Sequence, residues 1–285
     1  MAEQILGVIG GSGLYNMKDL KVSEVIPMDT PFGEPSDPIV RGELDGVQLA
    51  FLPRHGVGHR ISPSEINYRA NIFAMKKLGV ERIVSISAVG SMKEEIAPGH
   101  IVLPAQFIDR TFRRINTFFT DGIVGHVSFA DPICDELHGR VLEASEQAGA
   151  VVHQGGTYVC IEGPQFSTRA ESNVYRSWGV EVIGMTNVTE AKLAREAGIC
   201  YVTIALSTDY DCWHIDEEAV SVEQVLESMH NNVALAQNIL KEVVALPVLE
   251  RHCECGEAAR QAIVTDRKKI PEKRKQELEI LFGKL

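Results

Sequence analysis

The residues in this chain best able to do chemistry gather in a few short stretches, most of them directly after an apolar run. In "ILGVIGGSGLY", residues 5–15, Gly10, Gly11, Ser12 and Gly13 expose consecutive backbone N–H groups with no bulky side chain in the way, which suits a bound anion. The stretch fits neither nucleotide fingerprint: no glycine in it starts an i, i+2, i+5 series, and the Gly-Lys-Ser/Thr of a phosphate-binding loop is absent. In "PRHGVGHRISP", Arg54 and His55 would set a guanidinium and an imidazole beside a strand end, an arrangement fit for a tetrahedral oxyanion and equally for a surface ion pair. "SAVGSMKEEI" adds the Ser87 hydroxyl and the backbone at Ala88 and Gly90, and "GMTNVTEAKLAREAG" puts Met185 and Thr186 ahead of a helix N-terminus. Each turn alone reads as an ordinary capped turn; four with donors, at four strand ends, are less easily read that way.

A second chemistry is offered by "STDYDCW". If strand geometry continues through it, Asp209 and Asp211 face the same side and reach one planar ligand. A divalent cation would want a third acidic or histidine ligand nearby in sequence, and a purine edge suits the pair better. "TYVCIEGPQFSTRAES" contributes a Gly163-Pro164 turn, a flat apolar surface at Phe166 and a structural pair in Arg169 and Glu171.

Short apolar runs alternating with segments of helical period must position these turns, which predicts an α/β chain with a central sheet flanked by helices. Strands are expected at 5–9, 47–52, 82–87, 101–103, 157–161, 181–183 and 199–206. Helices are expected to open at Ser64-Glu65, at Asp131-Pro132 as N-cap and N1, and at a Ser221–Gln224 capping box, with Gly79, Gly149 and Gly198 as stops. One domain is expected over 1–248. The charge-dense tail, 249–285, reads as a terminal helix docking by Leu278, Leu281 and Phe282 on the same domain or on a neighbouring subunit.

Composition narrows the class. Hydrophobic residues make up 45% and charged residues 24%, enough apolar content for a sizeable core. A formal charge of -11, from 28 Lys and Arg against 39 Asp and Glu, argues against nucleic acid or anionic membranes as partners. The N-terminus runs straight into an apolar strand without a signal-like segment, so a cytoplasmic location is expected. Six scattered cysteines are no disulfide scaffold. Cys253 and Cys255, next to His252, are spaced poorly for a zinc knuckle, and buried thiols or a tail disulfide are the expected reading.

Taken in order, "GVIGGSGLY", "PRHGVGHRISPSEINYRANIFAMKKLG", "SAVGSMKEEIAPGHIVLPAQFIDRT", "EGPQFSTRAE", "GMTNVTEAKLAREAGICY" and "STDYDCW" resemble the trimeric purine nucleoside phosphorylases, and within them the branch acting on 5′-methylthioadenosine. The resemblance spans roughly residues 5 to 245. It implies a homotrimer of nucleoside phosphorylase fold that cleaves 5′-methylthioadenosine with inorganic phosphate as co-substrate, needs no metal or organic cofactor, and serves purine and methionine salvage. Carried onto this chain, phosphate meets Ser12, Arg54, His55, Ser87, the backbone at Ala88, and Thr186. Met185 lies against the ribose and Phe166 beside the base, while Asp209 and Asp211 bind the purine N7 and N6 edge as the catalytic carboxyls, one of them protonated. His126, from a neighbouring subunit, joins Val222 and Val225 around the 5′-methylthio group, whose burial rewards it over a hydroxyl by on the order of 1 to 3 kcal/mol. Gly184 before Met185-Thr186 is the form seen in members acting on 6-oxopurines, the alternative substrates. Ser167 and the two aspartates are of the adenine kind, since carboxylates accept from an amino group.

Overall fold

The computed structural model describes residues 4–214, 222–246 and 250–284, with the backbone alone for Ser12 and residues 222–231. Among the described residues the strands in chain order are β1 (Ile5–Gly10), β2 (Lys21–Ile26), β3 (Ile39–Leu44), β4 (Val47–Pro53), β5 (Val80–Ser91), β6 (Ile101–Leu103), β7 (Gln106–Arg110), β8 (Val152–Gln154), β9 (Thr157–Ile161), β10 (Val182–Gly184) and β11 (Cys200–Asp209). The helices are α1 (Tyr68–Lys77), α2 (Asp135–Gln147), α3 (Arg169–Ser177), α4 (Asn187–Glu196), α5 (Val222–Ala245), α6 (Ala258–Ala262) and α7 (Glu272–Phe282). No helix among the described residues is long and apolar enough to cross a membrane.

The strands form one mixed sheet in the order β2-β3-β4-β1-β5-β10-β9-β7, with β11 on β5 and β6, and β8 on β6. Its centre is parallel: β1 lies between β4 and β5, and β11 runs beside β5. These strands read as continuous apolar runs because both faces are covered, and Val8, Ile9, Val84, Val202 and Ile204 are fully buried. Beyond its pairing with β1, β5 continues to Ser91 and takes up β10 antiparallel, so it joins the two halves of the sheet.

All seven expected strands are present. β2, β3, β7 and β8 lie outside those expectations for physical reasons: β2 (KVSEVI) is an almost wholly exposed edge, β3 breaks its apolar run at Arg41-Gly42-Glu43, β7 (QFIDR) has no fully buried residue, and β8 has three residues. Helix starts differ more. α1 begins at Tyr68, where the Asn67 side chain accepts from Ala70 N–H; Ser62–Glu65 is instead a closed turn, with the Glu65 carboxylate accepting from Ser62 N–H at 3.1 Å. α2 starts after Cys134 rather than at Asp131-Pro132, because Ile133 and Cys134 are buried and Cys134 N–H donates to Tyr201 O on β11 at 3.1 Å. In α3, Glu171 closes a capping box with Thr168, which takes the place of the expected pairing with Arg169. The capping box expected at Ser221 lies outside the described residues.

Helices α1, α4, α6 and α7 pack in one group and α2 and α5 in another, both touching β11 through its helices nearest in space. In the tail, Leu278, Leu281 and Phe282 are buried, and the Phe282 ring stacks on Phe119 at 4.9 Å. The tail also bridges Gly125 through Ile263.

Candidate active site

The C-terminal ends of β1, β4, β5 and β11 lie side by side, and the polar turns follow from them. Arg54, the first residue after β4, is tied to β1 by its own N–H, which donates to Gly10 O at 2.9 Å. Its side chain turns inward and is only 3% exposed. Nε and Nη2 hold the Glu190 carboxylate as a fork, with Nη2 3.1 Å from Oε2; Nη2 also lies 2.6 Å from Ser85 Oγ, and Nη1 donates to Ile86 O at 3.0 Å. Burial alone would lower the guanidinium pKa, but the Glu190 charge and hydrogen bonds outweigh it and leave it raised, so Arg54 is a fixed cation. These contacts use four of the five guanidinium N–H groups and leave one on Nη1.

Beside it, the His55 Nδ1 lies 2.8 Å from Ile61 O and the ring stacks on His59 at 4.2 Å. Burial, and then the Arg54 charge, push its pKa down to about 4. The imidazole is therefore neutral at pH 7, with Nδ1 as donor to Ile61 and Nε2 as acceptor.

A buried network forms the floor. Asn187 Nδ2 lies 3.0 Å from each of Ser85 Oγ, Tyr201 Oη and Thr203 Oγ1, which share its two N–H groups, while its Oδ1 accepts from Ser87 Oγ at 2.8 Å. Tyr201 Oη and Ser85 Oγ both donate to Glu190 Oε2, at 2.9 and 2.7 Å. Above the floor, Thr186 is the N-cap residue of α4 and makes no side-chain cap bond, so the helix presents its first N–H groups there. Ala88 sits in β5 opposite Leu206 of β11. Thus Arg54, Ser87 and Thr186 are joined through Glu190, Ser85 and Asn187, none of which stood out in the sequence.

At the end of β11 the expected strand geometry stops. The register shifts between Ser207 and Asp209, and Asp211 begins a one-turn 3-10 helix (Asp211–Trp213) at φ 54°. The carboxylates are coupled differently: Asp209 Oδ1 accepts Asp211 N–H at 2.8 Å, Asp209 Oδ2 accepts from Thr208 Oγ1 at 2.7 Å, and Asp211 Oδ2 accepts from Ser172 Oγ at 2.5 Å. Burial raises the Asp211 pKa, partly offset by Ser172. Gly90 permits this closeness, since a Cβ there would stand 3.1 Å from Asp209 Oδ1 and 3.0 Å from Ile183.

The 163–168 loop comes alongside. Gly163 at φ +67 lies against Met185, whose carbonyl accepts from Arg114 Nη1; Arg114 Nη2 also donates to Glu162 O at 2.7 Å. Arg114 thereby clamps the Met185 turn to the end of β9, a role the sequence did not suggest. Phe166 is 47% exposed, and Ser167 Oγ is buried without a hydrogen-bond partner while Ser167 O accepts from Cys212 Sγ. Gly184 has a packing cause: a Cβ there would lie 1.9 Å from the hydroxyl of buried Tyr158.

His126 lies exposed on the segment that pairs with the tail, its N–H donating to Ala262 O at 2.9 Å. The side chains of Ser12, Val222 and Val225 lie outside the described residues. Ser12 opens a 3-10 turn after β1, and Val222 and Val225 fall in the first turns of α5.

Residues 5–245 match the phosphorylase superfamily. The chain is 59% identical over 282 residues to the S-methyl-5′-thioadenosine phosphorylase of Geobacter sulfurreducens, covering 99% of each. It is 49% identical to the crystal structure of a methylthioadenosine phosphorylase from an antarctic soil metagenomic library, with a TM-score of 0.94 over 99% of this chain and 100% of that one. With methylthioadenosine phosphorylase from Schistosoma mansoni in complex with adenine it shares 39% identity and a TM-score of 0.84, over 91% of this chain and 97% of that one.

Proposed function

The chain belongs to the phosphorylase superfamily, and from that membership we propose that it cleaves 5′-methylthioadenosine with inorganic phosphate, releasing adenine and 5-methylthioribose 1-phosphate. The observation that carries this reading is the match to S-methyl-5′-thioadenosine phosphorylase over 99% of both chains, and the site supplies the means.

Phosphate would lie over the strand ends, meeting the remaining Nη1 N–H of Arg54, the Ser87 hydroxyl once it turns from Asn187 Oδ1, the Ala88 and Ser12 backbone and the α4 N-terminus at Thr186. The mono-protonated dianion suits His55, because its P–OH can donate to the neutral Nε2. The nucleoside would place its base beside Phe166 and its ribose against Met185. As the C1′–N9 bond breaks, C1′ gains positive character, which the phosphate beneath it stabilises before forming the C1′–O bond. Electron density moves into the purine, and a carboxyl proton delivered to N7 neutralises it. Asp211 carries the proton in this reading, since burial favours its neutral form while both Asp209 oxygens accept hydrogen bonds that favour the carboxylate, and Asp209 then accepts from the 6-amino group. The unpartnered Ser167 hydroxyl is placed to complete the base contacts.

In the homotrimer that the family resemblance implies, His126 of a neighbouring subunit would join Val222 and Val225 in enclosing the methylthio group. The roles proposed here call on phosphate as co-substrate, with no metal or organic cofactor in the chemistry. ³¹P NMR of a reaction mixture tests the reading: inorganic phosphate should convert to a sugar 1-phosphate in step with adenine release, whereas adenine without a new phosphorus resonance would mark a hydrolase.

A further inference from the structure

Four cysteines far apart in sequence meet at the end of β11 remote from the aspartates. The sulfurs of Cys134, Cys200, Cys253 and Cys255 all lie within 4.8 Å of one another, and Cys200 Sγ is 3.3 Å from Cys253 Sγ. Cys134 is the N-cap of α2, Cys200 is the first residue of β11, and the Cys-x-Cys pair enters from the tail. The second pair that the sequence spacing lacked is thus supplied by the core.

We infer that these four thiols form a structural site for a thiophilic divalent cation, zinc being the best fit, that staples the tail to the sheet. Zn–S bonds of about 2.3 Å in a tetrahedron place the sulfurs about 3.8 Å apart, close to the spacing seen. One ion satisfies all four sulfurs at once, whereas two disulfides would draw two pairs to about 2.0 Å and leave the pairs no reason to abut. Binding takes the protons from the four thiols into solvent and gives a complex of charge 2−. Arg251 stands beside Cys200, Cys253 and Cys255, and its Nε is buried with no hydrogen-bond partner, so a cation with a spare donor neighbours the charge that would form.

The fold keeps the tail in reach. Arg251 Nη2 donates to Gly198 O at 2.8 Å, and a Cβ on Gly198 would lie 2.9 Å from Gly256 O, so the tail backbone rests on the α4–β11 turn. From there the tail continues to Ala262, which holds the His126 backbone. At about 3.3 Å per residue, β11 separates Cys200 from Asp209 by about 30 Å, so the ion takes no part in the cleavage.

The test is metal analysis of the full chain purified under reduction without chelator, then reconstituted with Zn²⁺ alone. About one zinc per chain is expected, with the four thiols unreactive until a chelator is added, and none in the Cys253→Ser/Cys255→Ser variant. Replacement by Co²⁺ should give thiolate-to-cobalt charge-transfer absorption and tetrahedral ligand-field bands, a readout that needs no variant. A reduced chain that takes up no zinc, a double variant that retains it, or two disulfides in non-reduced peptides from protein made in cells would each overturn the inference.

Discussion

The Arg54 guanidinium and the Glu190 carboxylate form a buried fork, 3% and 1% exposed, directly under the ends of β1, β4 and β5. The pair fixes the orientation of the cation, leaving one donor for the anion above. Removing either partner strands a buried charge, so Arg54→Ala or Glu190→Gln should destabilise the chain by about 3–5 kcal/mol in urea unfolding. An Arg54→Met/Glu190→Leu double variant should recover most of that stability while phosphate binding stays lost. Recovery of both would show that the cation does not serve the anion.

His55 links this site to pH. Its folded pKa, about 4, is below the ordinary 6.5, so the unfolded chain binds the proton more tightly. The stability it contributes, about 3 kcal/mol, is present above about pH 6.5 and is lost as pH falls toward 4. Urea midpoints measured across that window should fall less steeply in His55→Gln than in the parent chain.

Asp211 sets the opposite limb. A carboxyl whose folded pKa is raised keeps its proton longer, so turnover should decline as pH rises through that pKa. Asp209→Asn and Asp211→Asn should each lower kcat by about 10²–10⁴ with little change in the KM for phosphate, and Asp211→Asn alone should abolish the alkaline decline. An unchanged rate in Asp211→Asn would remove it as the acid.

Gly184 is explained by Tyr158 rather than by the purine. Gly184→Ala should destabilise by about 1–3 kcal/mol through overpacking against the hydroxyl, and Tyr158→Leu in the same chain should relieve it. Neither change should turn the preference toward 6-oxopurines, as competition between the two nucleosides will report.

The strand-end turns could be read from the sequence because glycines, Arg54-His55 and Asp209–Asp211 announce themselves by residue type beside apolar runs. What stayed hidden was set by contacts across the fold. Glu190 meets Arg54 from 136 positions away, and as the fourth residue of α4 it reads as an ordinary first-turn acid. Arg114 and Asn187 act through backbone carbonyls and hydroxyls of segments distant in sequence, which no local pattern reports. Asp211 departs from the strand rule through the irregularity before Asp209, and the Cys134–Cys200 pair comes together only when α2 docks on β11.

The most direct measurement is the initial rate of purine release from 5′-methylthioadenosine with and without phosphate, beside 5′-methylthioinosine and adenosine. Adenine should appear only when phosphate is present, and fastest from the methylthio substrate. Release without phosphate, or faster release from 5′-methylthioinosine, would contradict the roles given to the Arg54 site and the aspartate pair.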